Sequence, residues 1–219
     1  MFSIVKRDFI LIYKRPSELI NILMFFFLMC FILSFSAPDI LKENFTLSYS
    51  IIIISMILAC GLNQDIIFER DLRIGFLTQF FLNIPAYKII LSKIISNFLL
   101  FSLPIAIISP ISALFFGIKE NIFIYLIIGA SLSGLVISSI NILFASLVAG
   151  VRNGGVASAI LSLPIYISLI VANFSYAESL VNSEFFQGLA NLFSSCLAFL
   201  LIIIPIAIFS GKVCLERQS

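Results

Sequence analysis

The sequence predicts an all-α, polytopic membrane protein with six transmembrane helices and both termini in the cytoplasm. Hydrophobic residues make up 61% of its 219 residues and charged residues only 11%, whereas soluble domains carry about 25% charged residues. The apolar residues gather in runs long enough to cross a bilayer. Most basic residues fall in every second connection between these runs, and these connections lie on the same side of the membrane. No soluble stretch is long enough to bury a core of its own, so residues 1–219 are expected to form a single membrane domain.

The first 18 residues predict an amphipathic helix that lies at the membrane interface. One face of this helix carries Phe2, Val5, Phe9, Ile12 and Tyr13. The opposite face carries Arg7, Asp8, Lys14 and Arg15. Ile4 and Leu11 depart from this pattern. Pro16 is expected to end the helix before the first span, because a proline inside a helix removes a hydrogen bond and clashes with the preceding turn.

Six apolar segments follow this helix. The predicted spans are residues 19–37, 46–64, 89–116, 122–148, 156–172 and 189–209. The first span contains no ionisable residue and would extend roughly 28 Å as a helix, close to the hydrocarbon thickness of a bilayer. The basic start and Ser34-Phe35-Ser36 would also allow a cleaved signal peptide. A span is favoured over that alternative because the apolar region is long and further spans follow.

Three prolines and a group of small residues indicate where the helices bend or approach closely. Pro104 and Pro110 lie in the third span, where kinks or a local break are expected, and Pro164 lies in the fifth span. These prolines, with Ala130 and Gly134 of the fourth span, are the candidate residues for helix packing or gating. The fourth span is rich in small residues, and the spacing of Ala130 and Gly134 allows two helices to approach closely. This stripe fits ordinary packing within the chain, with a subunit interface as the alternative. Asn141, in the same span, is expected to point into protein.

The distribution of Lys and Arg predicts the orientation. Eleven of the 13 basic residues fall in the amino-terminal segment, around residues 63–93, in the turn near residue 152 and in the carboxy-terminal tail. Lys88 and Lys93 are counted there as residues of the membrane edge, and only Lys42 and Lys119 fall on the other side. The positive-inside rule therefore places both termini and the segment 63–85 in the cytoplasm. Residues 173–188 would then form an outward loop, with a short surface or partly re-entrant helix.

The segment 63–85 is the densest cluster of charge in the chain. Its candidate docking residues for a soluble partner are Asp65, Glu69, Arg70, Asp71, Arg73, Gly75 and Leu77. Glu69 and Arg73 have the favourable i,i+4 order on a helix, and Gly75 permits a turn before an aromatic-rich stretch. From composition alone, a solvated charged loop and a docking site are equally good interpretations.

Several kinds of chemistry find no support in the sequence. The chain has no histidine, and its four cysteines are not in C-x-x-C spacing, so zinc, dithiol and covalent haem sites lack their usual residues. The outward acids Glu178 and Glu184 are only a weak signal for a cation site. The net charge of +2 gives no reason to expect nucleic acid. No phosphate-binding G-x-x-x-x-G-K-[ST] loop is present, so any ATP that drives this protein must bind to another chain.

Three stretches, in their order along the chain, resemble the haem exporter protein B family (CcmB). The first is Phe68–Leu77, FERDLRIGFL, which is similar to an acidic and basic family segment ending in D-L-x-x-G-x-L, although the order of Glu69, Arg70 and Arg73 departs from it. The second is Leu103–Ile111, LPIAIISPI, with two prolines six residues apart. The third is the run 152–156, RNGGV, leading to Leu163-Pro164.

The resemblance implies the membrane subunit of the ABC transporter for c-type cytochrome maturation. It further implies a homodimer of this subunit, two ATPase subunits on the cytoplasmic face, haem-handling membrane proteins and a periplasmic haem chaperone. ATP hydrolysis would be linked to release of the haem-loaded chaperone. No cofactor is assigned to this chain, and haem is a possible cargo. The implied location is the inner membrane of a bacterium, with the mitochondrial inner membrane as the alternative.

Two other functions stay open from the sequence. The chain could be a membrane scaffold subunit with no role in transport, or an ABC permease for another lipid-like substrate. In the preferred hypothesis, the segment from Asp65 to Leu82 binds the ATPase and converts its closure into helix movement. The third span, with its prolines, transmits that helix movement.

Overall fold

The computed structural model describes residues 2–14, 16–36, 38–61, 85–148, 154–182 and 184–218. Within these ranges every regular element is a helix. The α-helices are α1 (Phe2–Lys14), α2 (Pro16–Ser36), α3 (Pro38–Glu43), α4 (Phe45–Gly61), α5 (Ala86–Asn97), α6 (Leu103–Phe115), α7 (Phe123–Val148), α8 (Gly154–Val181) and α9 (Phe185–Gln218). A π-helical segment, Phe98–Ser102, joins α5 to α6, and a 3₁₀ turn, Glu120–Ile122, precedes α7.

The predicted polytopic all-α class is confirmed. Five helical stretches are long and apolar enough to cross a membrane: Pro16–Ser36, Ala86–Phe115, Glu120–Val148, Ala157–Val181 and Phe185–Cys214. The sixth apolar helix, α4, has 17 described residues. Its predicted continuation to residue 64 lies outside the described residues.

Helix α7 forms the centre of the bundle. It contacts α4, α5, α6, α8 and α9, and half of its most apolar stretch is buried inside the protein. Small side chains allow this crowding because they let neighbouring backbones approach. Ala130 and Gly134 are both buried there, and a Cβ on Gly134 would lie 2.9 Å from the Ser102 Cβ. The small-residue stripe thus packs within the chain, while a role in dimerisation stays a prediction.

The third span is one continuous helix that changes its helix type where the sequence predicts kinks or a local break. The π-helical segment Phe98–Ser102 ends two residues before Pro104. A proline removes a backbone donor and crowds the preceding turn, which is a recognised cause of such irregularity. The helix continues through Pro110, and α8 continues through Pro164. Of these three described prolines, Pro104 alone lies beside a change of helix type.

The structure corrects the boundaries of the fifth span. Residues 173–181 continue α8 without a break, so the prediction of a separate short helix over residues 173–188 is wrong. The connection to α9 spans residues 182–184. The reason is that Asn173 and Tyr176, which looked like loop residues, are buried and make hydrogen bonds inside the bundle.

The predicted amino-terminal helix is present, and one of its faces is buried against the rest of the protein. Ile4, Asp8 and Ile12 are buried, at the i, i+4, i+8 spacing of one helical face, whereas Tyr13 is 89% exposed. This face packs against α5. The expectation that Asp8 lies on a polar face opposite the apolar one is therefore wrong. Its carboxylate turns into the protein because it meets a lysine there.

Candidate functional site

A buried ion pair joins α1 to α5. Lys93 Nζ lies 2.9 Å from Asp8 Oδ2 and 3.1 Å from Asp8 Oδ1. Lys93 has no exposed surface, and Asp8 is 4% exposed. Arg7 Nη2 also lies 2.9 Å from Asp8 Oδ1. Charges this deeply buried are tolerated only when paired, so α1 is fastened to the helix that follows the segment 63–85.

This pair also changes the count of basic residues that decides the orientation. Lys93 is buried in the protein, and its charge is balanced by a carboxylate of the same chain. The remaining ten basic residues on the predicted cytoplasmic side still outnumber the two on the other side. The orientation rests on those ten and stays a prediction.

A second group of polar side chains crosses the bundle near the π-helical segment. We call it the loop-side cluster because it includes Cys60, which lies at the end of α4 that leads into the segment 63–85. It consists of Cys60, Ser102, Ser138, Asn141 and Tyr166. Ser102 Oγ and Ser138 Oγ are 2.8 Å apart, and Ser102 Oγ is 3.7 Å from Cys60 Sγ. Asn141 Nδ2 donates to the Cys60 carbonyl at 3.2 Å, and the Tyr166 hydroxyl donates to Asn141 Oδ1. The cluster therefore ties α4, the π-helical segment, α7 and α8 together.

A third group, the far-side cluster, consists of Tyr49, Ser133 and Asn173. The hydroxyls of Tyr49 and Ser133 donate to Asn173 Oδ1 at 3.3 and 2.9 Å. Asn173 Nδ2 donates to the Leu169 carbonyl at 2.9 Å. Tyr49 and Cys60 lie on the same helix, eleven residues apart, which corresponds to about 16 Å along its axis. The two clusters thus occupy different levels of the bundle.

Neither cluster has the composition of a catalytic or metal site. Both are neutral, and their donors and acceptors satisfy one another. The described residues contain no group of three or more Cys, Asp and Glu side chains placed to hold a metal ion. All four cysteines are buried. What the clusters can do is hold helices in register by hydrogen bonds, which rearrange at lower cost than a buried ion pair.

The predicted docking residues Asp65, Glu69, Arg70, Asp71, Arg73, Gly75 and Leu77 lie outside the described residues. The predicted packing and gating residues are described. Of these, Pro104 adjoins the π-helical segment, and Gly134 packs against Met56 and Ser102, so both lie beside the loop-side cluster. Ala130 is fully buried in α7, whereas Pro164 is exposed on α8. The expectation that Asn141 points into protein is confirmed.

Sequence reasoning missed the two partners of the ion pair and most members of the clusters. A lysine inside a predicted span was the available signal for Lys93, since an ionisable residue at that depth is rare without a partner. Asn173 carried a similar signal, because an amide next to an apolar run is costly when it faces lipid.

Comparison with known proteins gives a match along nearly the whole chain. The model of the family described as CcmB protein matches residues 1–215. A protein of Pseudomonas aeruginosa named Heme exporter protein B is 26% identical over 213 residues, which cover 96% of each chain. A protein of the same name from Haemophilus influenzae is 28% identical over 178 residues, which cover 81% of this chain and 80% of that protein.

Proposed function

The chain belongs to the CcmB family, and from this membership we propose that it is the membrane subunit of an ABC transporter that exports or delivers haem for c-type cytochrome biogenesis. The observation that carries the proposal is the family match over residues 1–215. Two relatives named Heme exporter protein B, aligned over most of their length, support the same substrate. The six apolar helices supply the membrane body that such a subunit requires.

The energy source of this transporter is a separate ATPase subunit that docks on the segment from Asp65 to Leu82. Two features of the chain support this assignment. The sequence has no nucleotide-binding loop of its own. The segment also connects α4 to α5, and both helices reach the π-helical segment and α7. A push on the segment would therefore act on α4 and α5 and, through both helices, on the loop-side cluster.

ATP hydrolysis in the partner drives release of the haem-loaded periplasmic chaperone. The complete complex contains two copies of this subunit, haem-handling membrane proteins and that chaperone, and lies in the bacterial inner membrane. The support for these finer statements is the family membership and the distribution of basic residues.

Charge reversal in the docking segment tests the ATPase assignment. Glu69→Arg or Asp71→Arg, or a bulky residue at Gly75, is expected to reduce co-purification of the ATPase while the variant still inserts into the membrane. Glu120→Arg is the matched control, because Glu120 is an exposed acid in the loop before α7, on the side predicted to face away from the ATPase. If the docking variants retain a full complement of ATPase, the docking site lies elsewhere.

Deletion of the gene tests the substrate. We expect loss of the covalent haem stain of c-type cytochromes, with b-type cytochromes retained and restoration by the wild-type gene. Normal levels of c-type cytochromes would contradict the proposal and favour a permease for another lipid-like substrate. Loss that an ATPase-deficient partner does not reproduce would favour a scaffold role.

A further inference from the structure

An apolar groove opens between α1, the start of α2 and the π-helical segment. Its volume is about 850 Å³, within the range of roughly 300–1,000 Å³ that small-molecule sites occupy. The walls include Phe9 and Ile12 of α1, Ile20 of α2, Leu99 and Leu100 of the π-helical segment, and Pro104. The groove is therefore built at the one point where the third span changes its helix type.

One charged side chain, Lys14, lines the groove in the described part of the chain. Lys14 is the last residue of α1 and is exposed. The positive-inside rule places this helix at the cytoplasmic leaflet. Acidic phospholipids in that leaflet attract basic residues near the membrane surface. An occupant that matches both features has a long apolar tail and a single anionic group near the mouth of the groove.

We propose that this groove binds one acidic phospholipid, with an acyl chain against the π-helical segment and the headgroup phosphate beside Lys14. The exposed side chains fit this assignment. Phe9 is 42% exposed, Ile10 is 47% exposed and Ile20 is 51% exposed, so the groove presents apolar surface that no other part of the described chain covers. Burial of methylene groups on such surface drives binding, and the lysine selects the headgroup.

A porphyrin is the other amphipathic anion that such a space admits, and the lining disfavours it. The groove residues include no cysteine or methionine, and the chain has no histidine. Tyr13 also lines the groove and is of a type that can ligate haem iron, but it is 89% exposed and so lacks the enclosed position of an axial ligand. The lipid site is thus separate from the proposed haem export and does not depend on it.

The experiment uses the full chain, stripped of lipid in detergent and returned to nanodiscs of defined composition. A phosphatidylglycerol with a diazirine in its acyl chain is photoactivated, and the labelled peptides are identified. We expect labels concentrated on α1, the start of α2 and residues 98–104, and competition by unlabelled phosphatidylglycerol. Labels spread evenly over all lipid-facing helices would overturn the proposal, because they would show ordinary annular lipid.

Two variants test the walls and the charge separately. Ile20→Trp fills the groove and is expected to abolish the concentrated labelling, whereas Ile111→Trp, on an exposed site of α6 outside the groove, leaves it unchanged.

Lys14→Gln is expected to weaken competition by phosphatidylglycerol roughly fivefold without affecting phosphatidylcholine, with Lys119→Gln as the control. Unchanged labelling in Ile20→Trp, equal competition by both lipids in the wild type, or displacement by haem at equimolar concentration would each overturn the assignment.

Discussion

The two polar clusters on α4, α7 and α8 differ in one respect that bears on how movement enters the bundle. The far-side cluster connects three uninterrupted helices through Asn173. The loop-side cluster connects the same helices but adds Ser102 of the π-helical segment. Through α5, that segment leads back to the proposed ATPase-docking residues and to the ion pair with α1.

The difference suggests that the two halves of the bundle, one around each cluster, have different functions. The far-side half holds its helices together at a fixed spacing. The loop-side half contains the irregular turn, whose backbone hydrogen bonds are already off the α-helical pattern, so it accepts a shift of α5 at lower cost. Coupling is therefore expected to depend on the loop-side cluster, and stability on both.

The largest expected effect comes from breaking the ion pair of the loop-side half. Lys93→Met removes the buried partner of Asp8 and leaves its carboxylate with Arg7, whose side chain is 23% exposed. The free energy of unfolding is expected to fall by about 3 kcal/mol, the lower end of the range for a broken buried pair. The measurement is thermal unfolding of the purified protein in one detergent, with hydrogen exchange of α1 as the local readout.

Replacing both partners supplies the control for that experiment. Asp8→Leu with Lys93→Met also removes the carboxylate that has lost its buried lysine, and it is expected to recover most of the lost stability, because well-packed apolar residues often replace a buried pair at little cost. A double variant as unstable as Lys93→Met alone would show that the instability does not come from the Asp8 carboxylate that has lost Lys93.

Alanine substitutions at two glycines of α7 test whether the far-side half resists added volume more than the loop-side half. A Cβ on Gly129 would overlap the Tyr49 hydroxyl and lie 2.7 Å from Tyr176 Cε1, so Gly129→Ala is expected to cost roughly 2 kcal/mol by overpacking. A Cβ on Gly134 would lie 2.9 Å from the flexible end of Met56 and from Ser102 of the π-helical segment. The end of Met56 can move, but the Ser102 Cβ is fixed to its backbone, so Gly134→Ala requires a small shift of the π-helical segment. We expect a cost of roughly 1 kcal/mol, less than for Gly129→Ala, because one of the two close neighbours is flexible. The opposite order in thermal unfolding would contradict the assignment of stiffness.

The spans of this fold could be predicted because the length and composition of an apolar run decide whether a helix crosses a bilayer. The end of α8 could not. Asn173 and Tyr176 have the polarity of loop residues, and only their partners, Tyr49, Ser133 and the Tyr125 carbonyl, make them interior residues. Those partners lie 40 or more residues away in the sequence, so no local pattern reveals them.

The same limit applies to the candidate site. The helical wheel grouped Asp8 with the polar residues of α1, but its orientation is decided by Lys93, 85 residues further along the chain. Pro104, by contrast, was predictable as a point of distortion because its effect on the helix is local. What a residue does to its own backbone can be predicted from sequence, whereas the pairing of distant polar side chains requires the fold.

The most direct test of the division between the halves compares Asn141→Leu with Asn173→Leu. Both asparagines are fully buried, and each accepts a hydrogen bond from a tyrosine hydroxyl. Each change is expected to cost a similar amount of stability, about 1–2 kcal/mol. The measurement is the yield of covalent c-type cytochromes per copy of this protein in the membrane, at equal ATPase co-purification. We predict a several-fold lower yield for Asn141→Leu and a near-normal yield for Asn173→Leu. Equal yields, or a greater loss for Asn173→Leu, would contradict the claim that coupling to the ATPase passes through the loop-side cluster.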